Sequence, residues 1–121
     1  MMRIPPAESP TIELFAATGL DERQLSAVLL GVEEEGVPCV VSHREELNPL
    51  VLAKSAATSS RLGVGIGMSL DYAVVTLDKL PEARPYIVVQ STSAEAARLL
   101  GSNAARIVKR IPLRGFTERN Q

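Results

Sequence analysis

The chain has 121 residues, room for one compact domain, and its 45% hydrophobic content can fill a single core. With no Trp, two Tyr and two Phe, it is a poor prospect for sugar platforms or base-stacking surfaces. A net charge of -1 lacks the basic footprint of nucleic-acid or anionic-membrane binding, and the lone Cys39 cannot form an internal disulfide, so a cytoplasmic setting is expected.

Residues 1–10 contain Pro5, Pro6 and Pro10 and read as a flexible arm. They have no apolar stretch of the kind a signal peptide needs. No apolar run approaches the roughly 18 residues of a membrane span. A single α/β domain is expected over 11–116, with a short tail at 117–121.

TIELFAA (11–17) predicts a strand. Asp21 or a neighbour then caps a helix over about 22–35, with Leu25, Val28, Leu29 and Val32 as its apolar stripe and Gly36 as a left-handed stop. VPCVVSH (37–43) is apolar enough for a strand buried on both faces. Asn48-Pro49 pairs an N-cap with a first-turn proline and opens a helix over 49–59. LGVGIGM (62–68) and DYAVVTL (71–77) are strands whose link is too short for a parallel crossover, so they form an antiparallel hairpin. After Leu80-Pro81 come a fifth strand, PYIVVQS (85–91), and a helix over 93–110 that Pro112 ends. The order β-α-β-α-β-β-β-α predicts an α/β sandwich with a mixed, mostly parallel five-stranded sheet.

Glu33-Glu34-Glu35 is the most informative local feature. Three carboxylates crowd the last turn of a helix, each costing about 0.3–1 kcal/mol against the macrodipole, and no cation is near in sequence. Helical geometry turns Glu34 opposite the Leu25 stripe, toward solvent or a partner, with Glu33 and Glu35 flanking it. A solvated acidic helix end is the plain alternative. The functional one is a hard-cation ligand or an inter-subunit salt bridge, and a single carboxylate would need further ligands from a second chain.

In GSNAARIVKRIPLR (101–114), Gly101, Ala104, Val108 and Ile111 form a narrow stripe suited to close packing against the sheet. Arg106, Lys109 and Arg110 match the helix C-terminus, as a solvated end or as a contact for an acidic partner. Gly63, Gly65 and Gly67 do not make a nucleotide loop, because Met68 occupies the last glycine position and no Gly-Lys-Ser or Gly-Lys-Thr occurs. They suit close backbone approach within the sheet. His43 and Cys39 share a strand but lie roughly 12 Å or more apart, too far to act as base and nucleophile. No catalytic constellation emerges.

LLGVEEEGVP (29–38), LGVGIGMSLDYAVVTLDKLP (62–81) and GSNAARIVKRIPLRGF (101–116) together resemble the small subunits of diol and glycerol dehydratase reactivases. The resemblance spans about residues 24–116. It implies a three-layer sandwich with one antiparallel strand, similar to the medium subunit of the dehydratase itself. It implies a non-catalytic subunit that binds no cofactor alone and pairs with a large, ATP-hydrolysing subunit in a heterotetramer of two large and two small chains. That chaperone-like factor would release damaged cobalamin from the dehydratase by subunit exchange. The resemblance also implies that Glu34 reaches a divalent metal, magnesium or calcium, held mainly by the large subunit. Glu33, Glu35, Arg106 and Lys109 are then expected at the same interface. The expected setting is cytoplasmic, with a bacterial microcompartment as an alternative, and no nucleic acid or membrane is an expected partner. A medium-subunit-like component of a cobalamin-dependent dehydratase is the second reading. An independent small α/β enzyme is a third, for which no nucleophile, base or metal set is visible.

Overall fold

The computed structural model describes residues 10–115, so the expected arm before residue 10, residue 116 and the tail at 117–121 lie outside the described residues. The chain forms β1 (Ile12–Ala17), α1 (Glu22–Glu34), β2 (Cys39–Arg44), α2 (Pro49–Ser59), β3 (Val64–Ser69), β4 (Tyr72–Leu77), β5 (Ile87–Gln90) and α3 (Ala94–Lys109). Each helix starts on a side-chain cap. Asp21 accepts from the Arg23 amide at 2.8 Å, Asn48 from Leu50 at 2.9 Å, and Ser93 from Ala96 at 3.1 Å.

The five strands make one sheet in the order β2-β1-β3-β4-β5. β1 is parallel to β2 and β3, while β4 is antiparallel to both β3 and β5. The expectation of a mostly parallel sheet is therefore corrected: the four pairings divide evenly, and β4 alone runs against the other strands. The cause lies in the connections. The turn at Leu70-Asp71 and the helix-free link from β4 to β5 leave no crossover to restore a parallel pairing.

Helices cover both faces. α1 and α3 pack over Leu14, Ala16, Ile66, Met68, Ala73 and Val75. On the other face α2 sets Leu52 and Ala56 against Phe15 and Ala17. The result is the expected three-layer arrangement. β2 departs from its apolar pattern: it is an edge strand, half-exposed along its length rather than buried on both faces. A short apolar run does not distinguish a central strand from an edge one.

Glycines set the spacing of the layers, though not between the elements that the sequence suggests. A methyl on Gly65 would sit 2.1 Å from the Ala57 amide nitrogen, so this strand glycine admits helix α2 rather than another strand. Gly101 was expected against the sheet, but it faces α1. A methyl there would lie 2.0 Å from the Val28 carbonyl oxygen, and one on Gly31 would lie 1.9 Å from that of Arg98. α1 and α3 thus meet backbone to backbone. α3 stops where Arg110 turns left-handed at φ 60 and its amide caps the last carbonyls. Ile111, expected on the apolar stripe, falls beyond that stop and is exposed.

Candidate functional site

The close crossing of α1 and α3 determines what the acidic run meets. The polar face of α3 presents Arg98, Ser102, Arg106 and Lys109, spaced so that all four line one side of the helix. These groups come from 64 to 74 residues further along the chain than the carboxylates they meet. They supply the cations that the end of α1 lacks locally.

Glu35 is enclosed by this face. Its Oε2 accepts from Ser102 Oγ at 2.8 Å and from Arg106 Nε at 3.0 Å, and its Oε1 accepts from Lys109 Nζ at 3.1 Å. The side chain keeps 10% of its exposure. Hydrogen bonds from Ser102, then Lys109 and Arg106, pull its carboxyl down from the ordinary 4.5 to about 2. Glu35 is an anion held by structure.

Glu34 is bound more loosely. It is exposed and turned off the sheet, and beside it stands Arg98, whose Nη2 donates to Oε2. The helical wheel placed Glu34 correctly off the sheet and could not foresee a second helix drawn alongside. The Glu34 side chain is 30% exposed and that of Arg98 54%. The hydrogen bond from Arg98 keeps the Glu34 carboxyl below its usual range. Glu33 is exposed, has no side-chain hydrogen bond among the described residues, and borders a shallow groove with Val37 and Cys39.

A second network fastens the segment after α3. Buried Asn103 donates from Nδ2 to the Arg114 carbonyl oxygen at 2.9 Å and accepts the Arg114 amide at 2.7 Å. Arg106 Nη1 donates to the Pro112 carbonyl oxygen at 2.9 Å, and Arg114 Nη1 reaches Ser102 Oγ at 3.2 Å. Arg106 and Lys109, expected as interface residues, are therefore both engaged within the chain. Sequence reasoning missed Arg98, Ser102, Asn103 and Arg114. The i, i+4 and i+8 spacing of Arg98, Ser102 and Arg106 was the available signal.

His43 and Cys39 sit on β2 opposite Ala16 and Ile12 respectively, four positions apart. Burial, and secondarily Glu13, push the Cys39 thiol up to about 12. Among the described residues, no group of three or more His, Cys, Asp or Glu could hold a metal ion. No helix among them is long and apolar enough to cross a membrane.

The dehydratase medium subunit family model matches residues 9–114. The propanediol dehydratase-reactivating factor small subunit of Citrobacter freundii is 39% identical over 107 residues, covering 88% of this chain and 91% of its own. The diol dehydratase-reactivating factor small subunit of Klebsiella michiganensis is 41% identical, with 88% and 85% covered. Among solved structures, a diol dehydratase-reactivating factor complexed with ADP and Mg2+ matches with a TM-score of 0.83 at 37% identity, over 89% of this chain and 100% of that one. A glycerol dehydratase reactivase matches with the same TM-score, 0.83, at 32% identity, over 88% of this chain and 98% of that one.

The fold is that of an α/β domain, and the chain belongs to the dehydratase medium subunit family. The relatives that it matches along most of their length are small subunits of diol and propanediol dehydratase-reactivating factors.

Proposed function

We propose that this chain is the non-catalytic small subunit of a reactivating factor serving a cobalamin-dependent diol or glycerol dehydratase. The observation that carries the reading is the match along nearly the whole of reactivating-factor small subunits, in sequence and in fold. In this reading a large subunit hydrolyses ATP, and two large and two small chains form the factor. The family model is that of the dehydratase's own medium subunit. A chain of that shape is suited to take the place of a dehydratase subunit, open the site and let damaged cobalamin leave. The setting is cytoplasmic or within a microcompartment.

Glu34 is the residue for the joint between the subunits. Its carboxylate is hard-oxygen chemistry suited to magnesium or calcium, it is at the surface, and Arg98 engages only its Oε2. One carboxylate supplies a fraction of the six to eight oxygens such ions take, so the rest come from the large subunit and from water. When bound, the metal supplies a charge that ties the two chains together. Glu33 and the outer parts of Arg106 and Lys109 border the same contact, while Glu35 keeps the seam in place behind it.

The test is capture of the large ATPase subunit by this chain, with magnesium or with a chelator. Capture that falls with chelator, and falls again with Glu34→Gln, supports the assignment. If Glu34→Gln captures the large subunit as wild type does, Glu34 is not the metal's ligand. The second reading, a medium-subunit-like component of a dehydratase, is favoured by the family model alone. Stable capture of the catalytic dehydratase core without the large ATPase subunit would select it.

A further inference from the structure

The α1–α3 seam treats its two paired carboxylates differently. Glu35 is held by three side chains and is nearly enclosed, so releasing it means opening the helix packing. Glu34 has one hydrogen-bond partner, more than half exposed, and feels the charge of Arg114 only at longer range. Of the two, Glu34 is the one whose pair can exchange while the seam stays closed.

We propose that Arg98 is a guard on Glu34, holding the carboxylate closed against cations until the large subunit and its metal displace the guanidinium. This rests on the reading of Glu34 as a metal ligand at the subunit joint. A guanidinium on Oε2 denies that oxygen to a metal and places a positive charge where a divalent ion would approach. The base of Arg98 is fixed against α1, since its carbonyl oxygen lies at the Gly31 crossing. Its long side chain is 54% exposed, and the one side-chain hydrogen bond it makes among the described residues is to Glu34. Glu95, one turn back on α3, lines the same hollow as Arg98 and Arg114 and offers the released guanidinium another carboxylate. The free subunit therefore avoids stray metal, and docking becomes conditional on a metal already held by the partner.

The experiment is a magnesium titration of large-subunit capture by the full-length chain, wild type, Arg98→Gln, Glu34→Gln and the double variant. Arg98→Gln is expected to lower the magnesium midpoint roughly two- to fivefold, the scale of removing an exposed ion pair. Glu34→Gln is expected to abolish the metal dependence, and the double variant to behave like it. Arg98→Met, which keeps the apolar stem, must shift the midpoint the same way, and thermal melting by circular dichroism checks that each variant is folded. An unchanged or raised midpoint in both Arg98 variants, with Glu34→Gln still abolishing the metal dependence, overturns the guard and leaves Glu34 as ligand. Metal dependence that survives Glu34→Gln removes the ligand reading, and the guard with it.

Discussion

Lys109 grips Glu35 at two points, its Nζ donating to the backbone carbonyl oxygen at 2.8 Å and to Oε1 at 3.1 Å. The negative end of α1 is thereby closed by a cation from the last turn of another helix. Ser102 and Arg106 complete the enclosure.

This contact predicts an acid-sensitive share of stability. Glu35 titrates at about 2 when folded against an ordinary 4.5, so its contribution is complete above the ordinary value and disappears as pH falls from 4.5 to about 2. Urea unfolding of wild type and Glu35→Gln should differ at pH 7, with wild type the more stable. The two curves should converge near pH 2. A gap that does not narrow on acidification would contradict the assignment.

Replacing Gly101 with Ala should be costly despite adding a single methyl. That methyl would lie 2.0 Å from the Val28 carbonyl oxygen, which cannot rotate away. A loss of about 3 kcal/mol, the upper end for overpacking, is expected in chemical denaturation. Gly31→Ala should do the same from the opposite side of the crossing.

Asn103→Ala should loosen the segment after α3 and leave the sheet intact. It removes both hydrogen bonds to Arg114, at about 0.5–1.5 kcal/mol each. Hydrogen exchange at the Arg114 amide should accelerate well beyond that of amides in β1 or β3.

Cys39 should be a slow thiol. With its pKa near 12, the reactive thiolate is roughly a thousandfold scarcer at pH 8, and with its greater nucleophilicity counted, labelling by a disulfide reagent should be on the order of a hundredfold slower than for a free cysteine. Denaturant should restore the ordinary rate.

Local chemistry made the secondary structure legible. Asp21 and Asn48-Pro49 announce the helix starts by their side chains, and the short link before Tyr72 dictates the β3–β4 hairpin. The evenly mixed sheet was harder to read, because a single reversed strand, β4, sits between two neighbours and so accounts for two of the four pairings. The exposed edge position of β2 was hidden for a related reason: Val37, Val40 and Val41 look alike in a strand covered on two faces or on one. At the site, Glu33–Glu35 stood out by breaking the dipole rule. Lys109 stood out as well, but not its pairing with Glu35, nor that of Arg98 with Glu34, since both cations lie far along the chain and only the packing of α3 brings them close. The glycines were legible as sites of close approach, but the element approaching each of them was not.

The atoms that a methyl on Gly31 or Gly101 would meet are all main-chain atoms of the opposite helix. No neighbour can be trimmed to make room, as a bulky side chain could be. The distance between the two helices is therefore set by main chain against main chain, and no exchange of charged side chains along the seam can widen or narrow it.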